Sequence, residues 1–282
     1  MSPAISPSLS ASKALDAPAL EQTLNAIIQR HEVFRVRCET VGNRPLQSAA
    51  QGIRFELPVH DLSKLPSQDK EATVAIHAER HALEPFNLSH APLLRAELLK
   101  TAADEHIFLL ATHQYVFDGW STAILFRELS TLYTAFRAGE ASPLPPPSAQ
   151  YADFAHWLRH GFAGAEAARQ EAYWQEKLRD AQLVTALPLD HPRQANVPNR
   201  SASVAFTLPS FLADALRKLS QQVGVTLFIS LLAAFQTLLY GYTRQEKLAV
   251  GSIVSNRQLT QTETMIGSFA NNILISSDFF PA

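Results

Sequence analysis

Several residue types that would narrow the class of protein are scarce in this sequence. Cysteine occurs once, as Cys38, so the chain can form neither an internal disulfide nor a cysteine-based metal or redox motif. An excess of one charge is also lacking, because 24 basic side chains face 26 acidic ones and the net charge is -2. A near-neutral surface argues against nucleic acid or an anionic membrane as a partner. These absences favour a protein of the reducing cytoplasm.

Long apolar runs and a targeting signal are lacking as well. Residues 1–18 are rich in Ser, Ala and Pro but have no basic start followed by an apolar core, so they do not resemble a secretory signal. We expect residues 1–16 to be a disordered lead-in. The most apolar stretch, residues 226–242, is short for a bilayer span and contains Gln236, which predicts a buried helix.

The remaining composition is that of a globular protein with a core. Of the 282 residues, 46% are hydrophobic and 18% are charged. Apolar spacing predicts helices at 17–30, 69–83, 121–139 and 151–178, and two more starting near 209 and 226. Alternation of apolar and polar residues, or a short apolar run, predicts strands at 34–38, 53–59, 94–99, 107–112, near 204, at 248–253 and at 272–278. Helices and strands in both halves predict a mixed α+β (α/β) fold.

Two proline-rich segments divide the chain. Residues 142–148, with the sequence SPLPPPS, are typical of a stiff connector, and residues 187–200 are typical of a boundary between lobes. We therefore expect an N-terminal subdomain at 17–185 and a partial C-terminal subdomain at 186–282.

The segment HQYVFDGWS, residues 113–121, lies where a predicted strand ends and a predicted helix begins. Loops of this kind are where a rigid scaffold presents functional side chains. Ser121 is predicted to cap the helix that follows.

This segment resembles the HHxxxDG signature of the condensation domains of nonribosomal peptide synthetases, a family similar in fold to chloramphenicol acetyltransferase. Three further segments resemble that family in the same order along the chain. RHEVFR at 30–35 is similar to RHExLR, YADFAHW at 151–157 to YxDFAxW, and IGSFANN at 266–272 to IGxFVNT. The resemblance extends from about Ala17 to the end of the chain.

The resemblance implies a two-lobed acyltransferase that joins two substrates through an amide bond. Each substrate would arrive on the phosphopantetheine arm of a carrier protein domain, with an adenylation domain nearby. No cofactor is expected to bind directly, and the expected location is cytoplasmic.

The resemblance also assigns roles to individual residues. His113 matches the first, structural histidine, and Asp118 is expected to hold the loop through an arginine, for which Arg35 and Arg257 are the candidates. Gly119 would let the backbone and the pantetheine arm approach each other. The predicted site consists of His113, Gln114, Asp118 and Gly119 for catalysis and of Trp120, Ser121, Asn271 and Asn272 for substrate binding.

The family's catalytic histidine is replaced in this sequence by Gln114. An imidazole can accept a proton near neutrality, and a glutamine amide cannot. A missing general base typically costs about 10²–10⁴ in rate, whereas holding two reactants together is worth effective molarities of about 10⁵–10⁸ M. The sequence therefore leaves two hypotheses open: an amide-forming enzyme that works by positioning, and a scaffold that docks carrier proteins without chemistry. A free-standing acyl-CoA acyltransferase is a weaker third, because that group uses the same histidine.

A second departure concerns segments of the family pattern. Its opening SxAQxR-type segment and the two segments beyond IGxFVNT have no counterpart, so we expect the second lobe to be incomplete. The chain is then an excised or decayed fragment, or its missing half comes from another chain.

Several candidates also have an ordinary structural interpretation. His113 is expected to be a hydrogen-bonded structural residue, Trp120 a core residue and Cys38 a small buried apolar one. Asn271, Asn272, Ser252 and Asn256 are either tunnel-lining or ordinary turn residues. The pairs His77/His81 and His156/His160 share helix faces, but neither is accompanied by a third ligand, so no metal site is predicted.

Overall fold

The computed structural model describes residues 8–11, 15–161, 164–179, 184–191 and 203–279. The chain divides into two compact units. The first unit comprises Met1–Gly161 and Ser255–Asn271, and the second comprises Phe162–Val254 and Asn272–Ala282. The first break falls at 161/162, ahead of the boundary expected at 185/186, and the 255–271 segment groups with the N-terminal part of the chain.

A four-stranded sheet forms the centre of the first unit. Its strands are β1 (Ser8–Ala11), β4 (Val59–Asp61), β5 (Leu94–Lys100) and β6 (His106–Thr112), in the order β1-β6-β5-β4. The β5–β6 hairpin is the predicted strand pair, and β4 runs parallel to β5. A separate antiparallel hairpin consists of β2 (Val36–Val41) and β3 (Arg44–Ala49). The strand β1 was not expected, because residues 1–16 were predicted to be disordered throughout.

Helices cover both faces of this sheet. The first unit contains α1 (Ala17–Arg30), α2 (Ser67–Leu83), α3 (Gly119–Arg137) and α4 (Tyr151–Gly161). Helix α1 begins as predicted, with the Asp16 side chain accepting a hydrogen bond from the Ala19 amide at 2.9 Å. The main core lies between α1, α3 and the sheet face that carries Leu94, Ala96 and Leu98. A smaller core lies on the opposite face, where α2 covers Leu99.

The strand predicted at 53–59 is wrong for most of its length. Burial alternates as expected from Ile53 to Leu57, but the backbone of these residues is hydrogen-bonded by side chains of α1 and not by a strand. Asn25 bonds both the amide and the carbonyl of Phe55, and Glu21 accepts from the amide of Leu57. Because α1 satisfies these groups, the ladder begins only at Val59. The predicted start of β2 also shifts, since Phe34 lies in a 3₁₀ turn, Glu32–Arg35.

The second unit contains three helices and a two-stranded sheet within its described residues. These are α5 (Ala165–Leu178), α6 (Ser210–Gln222), α7 (Leu227–Thr243), β7 (Lys247–Val254) and β8 (Asn271–Asp278). The helix predicted at 151–178 is therefore two helices, α4 and α5. No strand forms at 203–209, so the one predicted near Val204 is wrong. Much of the predicted boundary segment, at 192–200, lies outside the described residues.

Helix α7 is present as predicted, but it is not buried. Among its residues, all of which the structure describes, Gln236 alone is buried. An apolar stripe of Phe228, Leu231, Phe235, Leu238 and Tyr242 is between 41% and 62% exposed. The prediction of a buried helix is wrong because α7 packs against α6 and β7 and leaves this face uncovered. Within the described chain no single helix is long and apolar enough to cross a bilayer. Helices α6 and α7 meet that test only as a pair, which is bent by 106°.

Candidate active-site loop

The HQYVFDGWS segment joins β6 to α3, as the sequence predicts. The helix cap is Asp118 and not Ser121: its Oδ1 accepts from the Ser121 amide at 2.9 Å and from the Ser121 hydroxyl at 2.7 Å. A carboxylate at this position satisfies the free amides of the first helical turn and complements the positive end of the helix dipole. The start of α3 is therefore built on Asp118.

Asp118 is also half of a buried ion pair. Arg257 Nη2 donates to Oδ1 at 3.0 Å and to Oδ2 at 3.2 Å, and both side chains are at least 95% buried. Oδ2 also accepts from the amides of Phe269 and Ala270, at 3.0 and 3.3 Å. Five donor groups from three parts of the chain thus converge on one carboxylate, which fixes the loop relative to the 255–271 segment.

The guanidinium of Arg257 is held on its other sides as well. Nη1 donates to the carbonyls of Thr262 and Met265, and the Phe269 ring lies 4.0 Å from Cζ. Burial lowers the pKa of Arg257, and the charge of Asp118 opposes that effect. Of the two candidate arginines, Arg257 is the one that contacts Asp118. Arg35 instead donates to the backbone carbonyls of residues 28, 29 and 50, which is a correction to its expected role.

Ser121 is a connector and not a substrate ligand, which corrects the sequence prediction. The residue is fully buried. Its hydroxyl oxygen lies 3.1 Å from the Gly267 amide, which donates to it, and 3.0 Å from the Gly267 carbonyl. A Cβ on Gly267 would lie 2.8 Å from the Phe269 ring and closer still to the Tyr151 ring. Glycine is therefore required where the 266–272 segment meets α3.

The loop between β6 and α3 begins with His113 and Gln114. His113 Nδ1 accepts from the Tyr115 amide at 3.1 Å, and its ring packs edge-on against Phe86. Burial lowers the pKa of His113, which favours the neutral imidazole. These contacts agree with a structural role. Gln114 and Tyr115 are exposed.

Gly119 and Trp120 form the exposed first turn of α3. A Cβ on Gly119 would meet nothing within 4 Å, so no protein atom requires glycine there. Trp120 was expected in the core, but its ring is 49% exposed. Its indole Nε1 donates to the Glu263 carbonyl at 3.1 Å, so the polar edge of this exposed ring is hydrogen-bonded.

The RHEVFR segment connects to α3 through Glu128. His31 Nε2 lies 2.6 Å from Glu128 Oε2, and Arg30 Nε donates to Oε1 at 3.1 Å. Burial by itself raises the pKa of Glu128, but the hydrogen bond from His31 and the charge of Arg30 outweigh it, and the pKa is lowered. The end of α1 is thereby fastened to the middle of α3.

The YADFAHW segment packs on the 266–272 segment. The Tyr151 hydroxyl donates to the Ser268 carbonyl at 2.8 Å, and the Phe154 and Phe269 ring centroids are 4.7 Å apart. All four segments picked out in the sequence therefore belong to one connected network in the first unit, with α3 at its centre.

The other candidate residues picked out in the sequence are exposed or half-buried. Asn271 and Asn272 are both exposed, and Ser252 and Asn256 are half-buried. Cys38 is half-buried as well. Sequence reasoning missed Glu128 and Gly267, because their roles depend on contacts with segments more than ninety positions away.

Comparison with known proteins identifies the family. The sequence model of the condensation domain matches residues 4–280. This chain belongs to the condensation-domain family. The family inferred from the four segments is thereby confirmed, and the match begins ahead of the expected Ala17.

Relatives and solved structures agree with that assignment. The chain is 41% identical over 264 residues to a linear gramicidin synthase of Brevibacillus parabrevis, and 40% identical over 264 residues to chondramide synthase cmdD of Chondromyces crocatus. Each alignment covers 94% of this chain, and 3% and 7% of the respective relatives. The X-domain solved in complex with OxyB from teicoplanin biosynthesis is 27% identical, with a TM-score of 0.87. That alignment covers 98% of this chain and 60% of the solved chain.

These matches settle the fold class. The mixed helix and strand content expected from the sequence is confirmed, and the fold is that of the chloramphenicol acetyltransferase-like condensation domains. The chain spans a small fraction of the curated synthases and about three fifths of the solved relative.

Proposed function

We propose that this chain is the condensation domain of a nonribosomal peptide synthetase and forms an amide bond between two carrier-bound substrates. The acceptor amine attacks the carbonyl carbon of the donor thioester. The new C–N bond forms and the C–S bond breaks. The donor's carrier arm leaves as a thiolate that takes up a proton from solvent, and the amine gives up one proton. The observation that carries the proposal is the buried Asp118–Arg257 pair, which holds the Gln114 loop in a chain of this family.

Gln114 cannot take the proton, so the proposed mechanism relies on placement. Its side-chain carbonyl is able to accept a hydrogen bond from the attacking amine and to orient it, while the proton passes to solvent. Gln114 is exposed, which supports access by both substrate and water. Holding two reactants together is worth about 10⁵–10⁸ M in effective molarity. That contribution is larger than the ~10²–10⁴ of a general base.

The neighbouring residues then have positioning roles. Asp118 and His113 shape the loop, and exposed Gly119 leaves the start of α3 open to a pantetheine arm. Trp120, Asn271 and Asn272 are exposed and are proposed to contact the substrates or their arms. We propose carrier protein domains and an adenylation domain as partners, with substrates brought on phosphopantetheine and no directly bound cofactor. One half-buried cysteine suits the reducing cytoplasm, where we place the protein.

One observation favours a second candidate function. The X-domain that resembles this chain was solved in complex with another protein, OxyB. Together with Gln114 in the catalytic position, this supports a scaffold that docks carrier proteins without forming amide bonds.

A product assay separates the two functions. Carrier proteins loaded with donor and acceptor are mixed with the protein that bears this chain, and dipeptidyl product is followed by mass spectrometry. The amide-forming proposal predicts product from the parent above a no-enzyme control, and more product from Gln114→His. Gln51→His, the same change at another exposed glutamine of the first unit, should leave the rate unchanged. Carrier binding with no product from the parent would establish the scaffold function instead.

A further inference from the structure

A cluster of three histidines surrounds a buried carboxylate on the α2 face of the sheet. His60 lies on β4, Glu97 on β5, and His77 and His81 one turn apart on α2. The register places His60 beside Leu99 on the neighbouring strand, and Glu97 faces α2. This face is opposite the main core, whose β5 residues are Leu94, Ala96 and Leu98. The cluster plays no part in the proposed amide chemistry.

We propose that His60, His77 and Glu97 bind a divalent transition-metal ion, with zinc the best match. The ligand atoms of these three residues all lie within 4.8 Å of one another. His60 Nε2 is 3.4 Å and His77 Nδ1 is 3.2 Å from Glu97 Oε2. A tetrahedral zinc ion with ligands at about 2.0–2.1 Å places neighbouring ligand atoms about 3.3 Å apart. The two measured separations match this distance between neighbouring ligand atoms. Two imidazoles with one carboxylate form a known zinc ligand set.

Unsatisfied polar atoms in the cluster support a bound cation. The Glu97 side chain is 6% exposed, and its Oε1 has no hydrogen-bond partner among the described residues. His81 is equally buried, its Nδ1 lies 3.6 Å from that oxygen, and its Nε2 has no hydrogen-bond partner in the described chain either. Leaving one oxygen of a buried carboxylate without a partner is costly, and a bound dication would compensate the charge of Glu97 and could bind both of its oxygens.

Arg80 is the competitor for the same position. Its Nη2 lies 3.0 Å from Glu97 Oε2 and 3.2 Å from His77 Nδ1, so it contacts two of the proposed ligand atoms. The arginine side chain is 58% exposed and is free to swing into solvent when an ion binds. Its ion pair with Glu97 shows that the carboxylate already has a positive partner, which an incoming ion must displace. It also predicts that removing Arg80 strengthens metal binding.

The bound ion would fasten the edge of the sheet. Strand β4 has three residues and pairs with β5 alone in the described sheet. A metal bridging β4, β5 and α2 would link this short edge strand to the helix that covers it. The fourth position would be open to water.

The first test is an isothermal calorimetric titration of the metal-stripped protein with Zn²⁺. The second is the visible d–d absorption spectrum of Co²⁺ bound in place of Zn²⁺. We expect one ion per chain with a tetrahedral Co²⁺ spectrum and an increase in Tm with Zn²⁺. His60→Gln and His77→Gln should each weaken binding by more than about 100-fold, beyond the ~10–100-fold typical of outer-shell losses. Arg80→Gln should tighten it by at least about fivefold, since one nearby positive charge is removed.

The exposed pair His156 and His160 on α4 provides the matched control. Its rings also stack at i, i+4 spacing, with centroids 4.1 Å apart, but no carboxylate of the described residues completes it as a three-ligand group. His156→Gln/His160→Gln should retain the full affinity and the stoichiometry of one. Circular dichroism without metal shows whether the His60 variant is folded, which its 39% exposed side chain favours. Equal Zn²⁺ affinity in the parent and in folded His60→Gln and His77→Gln, or an octahedral Co²⁺ spectrum, would overturn the proposal.

Discussion

At the scale of single residues, Asp118 does more than pair with one arginine. Its carboxylate caps α3, neutralises Arg257 and binds two amides of the 266–272 segment. The sequence indicates an acidic residue at a strand-to-helix loop, but it does not indicate which arginine comes near. Arg35 and Arg257 were equal candidates, and the decision lies in a contact 139 positions apart. Pairings over such separations depend on the whole fold.

Substitution of Asp118 should therefore be costly. In Asp118→Asn the Arg257 charge stays buried without its partner, and the free energy of unfolding should fall by about 3–5 kcal/mol. Urea denaturation measures this directly. Asp104→Asn, the same change at an exposed turn, should alter it by less than about 0.5 kcal/mol. A loss at Asp118 no larger than at Asp104 would mean that the ion pair contributes nothing.

Two glycines give opposite predictions. Gly267→Ala should destabilise the protein by about 1–3 kcal/mol, because its new methyl group collides with Tyr151 and Phe269. Gly119→Ala should leave stability unchanged or slightly higher, because the site is open and alanine favours a helix. Its product rate should nevertheless fall if the backbone there approaches the pantetheine arm. Thermal unfolding and the product assay test both statements. A stable, fully active Gly119→Ala would show that Gly119 is not needed for the approach of the pantetheine arm.

At the scale of elements, strong apolar periodicity predicted the helices and strands well. It could not show which groups hydrogen-bond the backbone. Helix α1 follows from apolar spacing and its Asp16 cap, and helix α2 and the β5–β6 hairpin follow from apolar spacing. The 53–58 segment alternates like a strand, yet Asn25 and Glu21 of α1 take its hydrogen bonds. A strand ladder and a set of hydrogen bonds to side chains produce the same burial pattern, so the sequence could not distinguish them. The metal site that we propose was not predicted for a related reason: Glu97 and His60, which complete it, lie on two different strands.

The Glu128 contact between α1 and α3 should make stability sensitive to acid. Its pKa is lowered below the ordinary 4.5 in the folded state, so its contribution is present above pH 4.5 and is lost as the pH falls below that value. Glu128→Gln should cost about 1–3 kcal/mol at pH 7, and the difference from the parent should shrink below pH 4.5. Urea unfolding at several pH values tests this. The exposed Glu56→Gln should track the parent throughout, and a Glu128 difference that is constant with pH would contradict the assignment.

At the scale of the whole molecule, the first unit buries more of its apolar residues than the second unit does. Most buried apolar residues belong to the first unit, whereas Leu248 is the buried apolar residue of the described second unit. The exposed stripe on α7 is the clearest case in which composition misled the prediction. Apolar content indicates that a surface needs a partner, but it does not say whether the described chain supplies one. Family and fold were within reach of the sequence, because four ordered segments carry them.

We propose that Gln114 stands in the catalytic position and works without accepting a proton. The most direct test is the ratio of initial product rates for Gln114→His over the parent, measured across pH 5.5–8.5. Taking the ratio cancels the titration of the acceptor amine, which both proteins share. We expect the ratio to rise as the imidazole loses its proton, near its usual pKa of about 6.5, and to reach about 10²–10⁴. A ratio that stays near one at every pH would contradict this proposal.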